Sequence, residues 1–287
     1  MTVSVVTDSS CDIPPEIARR LCITVVPLYI QLGGKTYLDG MDADVDNLYH
    51  ELAHGQETPK TSAPPPGDFI KVYSNLATET DQIISIHLSS GYSGTYNAAS
   101  LAKSYLDDKC RVEVIDSNSV SAGLGLIVMV AAKAAREGKN LDQIVDLMHQ
   151  IIPRSHIFGK VDDFTHILQG KRFRLTKGLI LLGKISVALR IKLLGEVYDS
   201  GKVRSPTLLI GRKMALNRLK RWAKSFETIE ELGIAYSTLP QEAEMLIELL
   251  QPLFPRERIL ITRLGCATST YVGSGTLAMA LIHGEQL

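Results

Sequence analysis

The chain has 287 residues, 31 of them basic and 31 acidic, for a formal net charge of zero. That balance leaves no electrostatic footprint for a nucleic acid or an anionic membrane surface, and an aromatic content of 6% argues against base stacking. Hydrophobic residues at 45% and charged residues at 22% are ordinary for a globular protein with room for two domains or one large one.

The cysteines, Cys11, Cys22, Cys110 and Cys266, form no C-x-x-C pair, which removes zinc-knuckle and thioredoxin-like readings and fits a reducing compartment. The chain enters an apolar run at Val3–Val6 without a basic leader, and no window is apolar enough to span a bilayer. The expectation is a cytoplasmic protein with no stable membrane insertion and no nucleic-acid partner.

Val3–Val6 reads as a strand running into Thr7-Asp8-Ser9-Ser10. Ile13–Leu21 reads as a helix capped by Asp12, with Pro14 in its first turn. The β-branched run 23–32 reads as one strand turned by Gly33-Gly34, and 45–53 as a short helix. Residues 57–68 hold four prolines and read as a loop, followed by a helix over 69–77. A buried strand over 83–88 ends in Ser89-Ser90-Gly91-Tyr92-Ser93-Gly94-Thr95, after which a helical pattern begins. The strand 112–115 ends in Asp116-Ser117-Asn118-Ser119, and helices follow over 124–135 and 141–152. Strands alternating with helices indicate a parallel sheet.

The second half differs. Ile185, Val187, Leu189, Ile191 and Leu193 alternate strictly with more polar residues, as in a strand with one wet face turned back at Gly195 or Gly201. Helices are expected over 213–226 and 241–254, and short strands over 234–236, 259–262 and 277–282. The chain therefore reads as α/β with two domains: an N-terminal parallel-sheet, Rossmann-like α/β domain over 1–155 and a C-terminal α+β domain over 156–287, with a ligand cleft between them. No internal repeat is evident.

Three strands, ending near Val6, Leu88 and Ile115, run into Ser/Asp/Asn-rich turns, and ligands of open parallel sheets sit beyond such strand ends. The 89–95 turn places hydroxyls and backbone N–H groups at a helix N-terminus, which suits a phosphate, a carboxylate or another anionic or polar group. Lys60-Thr61-Ser62-Ala63-Pro64, stiffened by Pro64–Pro66, offers a second hydroxyl-bearing wall. His50-Glu51-Leu52-Ala53-His54 matches the H-E-x-x-H metalloprotease pattern, but the helix is short and no third ligand follows at a fixed spacing. Gly91-Tyr92-Ser93-Gly94 lacks the spacing of a nucleophile elbow, and His87 lies inside the preceding strand. No Walker loop or G-x-G-x-x-G is present.

Val6-Thr7-Asp8-Ser9-Ser10, Lys60-Thr61-Ser62-Ala63-Pro64, Leu88-Ser89-Ser90-Gly91-Tyr92-Ser93-Gly94-Thr95-Tyr96 and Ile115-Asp116-Ser117 occur in the order they have in the DegV family, which the chain resembles over essentially its whole length. The resemblance implies a bacterial, cytoplasmic, non-enzymatic protein with two α/β domains. It would bind one long-chain fatty acid, such as palmitate, stearate or oleate, between them, with no cofactor and no metal. Carried over, the carboxylate is held by Thr61 and Ser93, with Ser62, Ser90 and Gly94 supplying further donors. About fifteen buried methylenes at roughly 0.8 kcal/mol each contribute on the order of 12 kcal/mol before association costs.

Family members similar to fatty acid kinase binding subunits present the carboxylate to a kinase catalytic subunit. Of their three basic positions, Arg172 matches one, whereas Ile210, ahead of Lys213-Met214-Ala215-Leu216, and Tyr271, ahead of Gly273-Ser274-Gly275, stand at the other two. Two cations suited to phosphoryl transfer are thus replaced, which leaves lipid binding intact and argues against the kinase partnership. The alternatives are a lipid-sensing regulatory module without a kinase, and a hydrolase using zinc at His50 and His54 or Ser93 as nucleophile.

Overall fold

The computed structural model describes residues 3–54, 59–106, 110–162, 191–198 and 202–285. In chain order these contain β1 (Ser4–Asp8), a 3-10 turn (Ser9–Cys11), α1 (Pro15–Arg20), β2 (Ile23–Val26), β3 (Tyr29–Leu32), β4 (Lys35–Leu38), α2 (Val45–His54), β5 (Lys60–Ser62), α3 (Pro66–Leu76) and β6 (Gln82–His87). There follow α4 (Thr95–Lys103), β7 (Arg111–Asp116), α5 (Ser121–Arg136), α6 (Leu141–Ile151), β8 (Ser155–Val161), β9 (Ile191–Tyr198) and β10 (Lys202–Ile210). The last elements are α7 (Arg212–Ala223), β11 (Ile229–Tyr236), α8 (Pro240–Leu250), β12 (Ile259–Arg263), α9 (Cys266–Val272) and β13 (Leu277–His283).

The fold is mixed α/β. Strands β2-β1-β6-β7 form a parallel sheet. Its central strands are buried almost end to end because both faces are covered. Alternation sends Val5, Ile84 and Ile86 toward α5 and α6, and Val6, Ile83 and Val112 toward Phe69 and Tyr73 of α3 and the alanines of α4. A second sheet, β10-β9-β8-β13-β11-β12, is mixed, with β11 and β12 parallel and the other pairs antiparallel. One of its faces packs Phe158, Leu194, Ile234 and Leu281 against α7 and α8. The other turns Ile157, Ala235 and Ala280 toward α5.

Helix α5 therefore packs between the two sheets, and its sequence shows why it can. Residues 121–128 are buried without a break, as expected of a helix covered on all sides. Its small residues permit close approach. A Cβ at Gly125 would lie 2.8 Å from the Cys11 carbonyl oxygen, and one at Gly233 on β11 would lie 3.2 Å from the Ala122 Cβ.

The run 23–32 is two strands rather than one. Pro27 has no N–H to give a ladder, and the chain leaves the parallel sheet there. β3 instead joins the small antiparallel sheet β4-β3-β5. Part of the expected loop 57–68 is β5, which sets Thr61 opposite Ile30, and α3 begins at Pro66 rather than at residue 69 because proline is at home in a first helical turn. Gly195 lies inside β9, paired with Gly159, and does not turn the chain. Residues 185–190 and Gly201 lie outside the described residues.

Candidate functional site

The C-terminal ends of β1 and β6, strand β5 and helix α9 converge on one half-open cavity of about 470 Å³, the solvent at its mouth included. Ser10, Thr61, Tyr92, Thr268 and Tyr271 bring hydroxyls to its wall, and Leu28, Leu88, Val120, Ala267 and Val272 complete it. Thr61 Oγ1 and the Tyr271 hydroxyl are 2.5 Å apart across it. A second cavity of about 680 Å³ shares Val120, Thr268 and Val272 with the first. Its wall runs between α5 and the second sheet, where Ile157, Val161, Leu193, Val197, Leu264 and Ala278 make it almost wholly apolar. A Cβ built at Gly159 on this wall meets nothing closer than 4.0 Å. The two lie side by side, a pocket with hydroxyls on its wall next to an apolar one, and Val120, Thr268 and Val272 border both.

Helix α9, which contributes to both cavities, is held at its N-terminus by two buried acids. Asp12 Oδ1 accepts from the Gly265 N–H at 2.9 Å, and Asp39 Oδ1 accepts from the Ala267 N–H at 3.3 Å. Asp12 Oδ2 also accepts from Ser121 Oγ at 2.6 Å, tying α5 to the same point, and Asp39 Oδ2 accepts from Ser9 Oγ at 2.7 Å. A Cβ at Gly265 would sit 3.0 Å from Asp12 Oδ1, so glycine lets the carboxylate close on the helix. Burial pushes the Asp12 carboxyl up to about 7 against the donors that favour its ionised form, of which Ser121 and Gly265 come first. Burial likewise pushes Asp39 up.

Behind the β1 and β6 turns lies a third acid. Asp8 is fully buried and accepts from the Ser10 N–H (3.1 Å), Ser10 Oγ (2.5 Å), the Leu88 N–H (3.0 Å) and His87 Nδ1 (2.9 Å). With Nδ1 protonated, His87 Nε2 accepts from Ser85 Oγ at 2.7 Å, and Ser85 in turn accepts from the Tyr73 hydroxyl at 2.7 Å. This is a Ser–His–Asp string at catalytic distances. Its environment is structural: all three members are fully buried, Phe69 lies edge-on to His87 at 5.0 Å, and none of the three lines either cavity.

The structure brings Thr61 to the cavity but sets the other sequence-predicted residues around it. Ser93 Oγ caps its own turn, 2.9 Å from Thr95 Oγ1 and 3.3 Å from the Thr95 N–H. Ser62 and Gly94 are exposed and outside the lining. Ser90 is exposed too, and its N–H goes to the Asp116 carboxylate at 3.2 Å. The N–H groups of Gly91, Tyr92 and Ser93 are taken by Ser89. The donors of this turn are thus largely used by the chain itself, which the count of hydroxyls in the sequence did not convey.

Sequence reasoning named the Ser9-Ser10 turn and, from the resemblance, Tyr271, but missed the apolar wall and α9 as a helix. The clue to α9 was Gly265 followed by an unbroken run of small and hydroxyl residues. Ile210 is 66% exposed at the end of β10 and touches neither cavity. Arg172 lies outside the described residues. His50 on α2 is exposed beside Glu51 at 3.7 Å, and among the described residues no group of three or more His, Cys, Asp or Glu side chains could hold a metal ion. Among them, too, no helix is long and apolar enough to cross a membrane.

Comparison with known proteins agrees with this architecture. A family model described as an uncharacterised protein, DegV family, matches residues 2–284. A DegV domain-containing protein of Caldanaerobacter subterraneus subsp. tengcongensis is 31% identical over 276 residues, covering 94% of this chain and 95% of that one. A solved structure described as showing fatty acid binding of a DegV family protein from Thermus thermophilus superposes with a TM-score of 0.86 at 27% identity, covering 99% of this chain and 100% of that one. The Streptococcus pneumoniae fatty acid kinase (Fak) B3 protein, loaded with linoleic acid, gives a TM-score of 0.86 at 22% identity and shares the fold, covering 99% of this chain and 100% of that one.

Proposed function

The chain belongs to the DegV family, and from that premise we propose that it is a non-catalytic binding protein for one long-chain fatty acid, such as palmitate, stearate or oleate. One observation carries the reading: a cavity with hydroxyls on its wall adjoins, at shared Val120, Thr268 and Val272, an apolar one between α5 and the second sheet. The head group takes the hydroxyl-bearing cavity and the tail takes the apolar one, at the junction of domains 1–155 and 156–287. The fatty acid binding described for the Thermus relative supports the same assignment.

Thr61 makes the head-group contact in this reading, joined by Tyr271 and Ser10. Ser93, one residue beyond the cavity-lining Tyr92, completes the head-group shell in this reading, with Ser90 and Gly94 of the same turn and Ser62 of β5. The tail supplies most of the affinity, since each buried methylene contributes roughly 0.8 kcal/mol.

Mass spectrometry of the denatured protein is expected to release one long-chain fatty acid. Absence of any such lipid, together with no uptake of added palmitate, stearate or oleate, refutes the proposal. A Gly159→Leu variant directs its side chain into the apolar cavity, where the glycine leaves open space. It should fold normally and favour shorter acids, and an unchanged chain-length profile would put the tail elsewhere.

A second reading, lipid sensing without a kinase, is favoured by Ile210 and Tyr271 at positions where kinase-partnered relatives carry basic residues. Pull-down with a fatty acid kinase catalytic subunit, followed by an acyl-phosphate assay, separates the two.

A further inference from the structure

We infer that the head site takes its lipid as the neutral, protonated acid and disfavours the carboxylate, an inference that rests on the fatty-acid reading above. The groups that ordinarily stabilise a buried anion are a cation, a helix N-terminus and a set of unpaired backbone N–H groups. Among the described residues no cation lines the cavity, and the backbone N–H groups nearest the hydroxyls are already used by the chain. Its lining contains no Lys, Arg or His. Lys60, beside Thr61, alternates to the opposite face of β5. The N–H groups of Gly265 and Ala267 at the start of α9 already go to Asp12 and Asp39. Those of Ser90 to Ser93 in the β6 turn go to Asp116 and Ser89.

Four of the five hydroxyls on the wall are similarly engaged. The Ser10 proton points at Asp8 Oδ1, and Thr268 Oγ1 lies 3.5 Å from Asp12 Oδ1. Thr61 and Tyr271 spend one proton on each other, so the pair retains at most one for a ligand. A hydroxyl whose proton goes backward into the protein presents its lone pairs to the cavity. A carboxylate is acceptor-only and has nothing to offer them, whereas a protonated acid donates one hydrogen bond and accepts others.

Charge points the same way. The titratable groups around the head site are Asp8 behind Ser10, Asp12 and Asp39 behind α9, and Asp116 behind the β6 turn. His87 stands on Asp8, and burial pushes up the Tyr92 phenol and the thiols of Cys11 and Cys266, which favours their neutral forms. Arg263, the cation on the far side of Tyr49, is paired with Asp46. An ionised ligand would meet desolvation, and like charge wherever one of these acids is ionised, and both raise a carboxyl pKa.

The test uses the full chain loaded with [1-13C]palmitate and follows the carboxyl carbon by NMR from pH 5 to pH 9, with the same acid in detergent micelles as reference. The bound resonance is expected to hold the protonated-acid shift through neutral pH, its midpoint raised by at least about two units over the micelle value. A bound carboxyl already ionised at pH 7, with a midpoint at or below the reference, overturns the inference and leaves fatty acid binding standing. No retained palmitate at any pH removes the reading on which it rests.

Discussion

Asp12 sets up a contest whose outcome can be measured. Its carboxyl closes on the first turn of α9 and on Ser121, contacts that favour charge, yet burial dominates and pushes it up to about 7 from an ordinary 3.8. A carboxyl whose folded value lies above its unfolded value gives stability that is complete below the unfolded value and lost as pH rises toward the folded one. A rise of about three units at 1.36 kcal/mol each makes the loss on the order of 4 kcal/mol between pH 4 and pH 7. Asp12→Asn cannot ionise, and its amide can face Ser121, whose hydroxyl can accept as well as donate. Urea unfolding of both proteins at pH 4.5, 5.5, 6.5 and 7.5 cancels the groups they share. The variant should gain on the wild type with each step up in pH, and the difference should level off above pH 7. A constant difference, or one that moves in the wild type's favour, would mean that the helix N-terminus and hydroxyl donors outweigh burial.

If the bound acid is neutral, Thr61→Val and Tyr271→Phe should each weaken palmitate binding by roughly 1 kcal/mol, about fivefold, by equilibrium competition. Because the two hydroxyls are paired, the double variant should lose less than the sum. Gly125→Ala should lower the unfolding free energy by about 1–3 kcal/mol in spite of alanine's better helix propensity, because its Cβ would press on the Cys11 carbonyl. Urea denaturation reads this directly. A fluorophosphonate probe should leave both Ser85 and Ser93 unlabelled by intact-mass analysis, since Ser85 is sealed in the core and, among the described residues, no histidine is hydrogen-bonded to Ser93.

The parallel sheet was legible because its strands are short apolar runs with breakers at both ends, as with Ile83–Leu88 before Ser89. The hydroxyl turns were legible as turns, and Thr61 as a site residue. The protonic state of those turns was not. Whether the Ser90 N–H is free depends on Asp116, twenty-six residues away, and only the register of β6 against β7 brings them together. The apolar cavity was invisible for a similar reason. Its wall alternates along β8 and β9, which meet through antiparallel pairing across a long stretch of chain. Helix α9 was missed because Cys266–Val272 has no apolar periodicity; what holds it is a pair of acids from the other half of the sequence.

The two departures from the kinase-partnered pattern now separate physically. Ile210 is an exposed residue at the end of β10, close in sequence to exposed Met214 on α7 and remote from both cavities, so it bears on what the surface can dock. Tyr271 stands inside the site, its hydroxyl on Thr61, so it bears on how the head group is held. Replacing a basic side chain with a phenol at that point removes a cation from a cavity already backed by Asp8, Asp12 and Asp39. The same change that argues against phosphoryl transfer therefore favours a protonated acid, which is a poor nucleophile toward a phosphoryl group. Tyr271→His puts a titratable cation on the wall of the proposed head site. It should lower the midpoint of the bound [1-13C]palmitate carboxyl toward the micelle value, because an imidazolium beside the head group favours the carboxylate. A midpoint unmoved by that substitution would mean that the buried acids, and not the missing cation, set the ligand's charge.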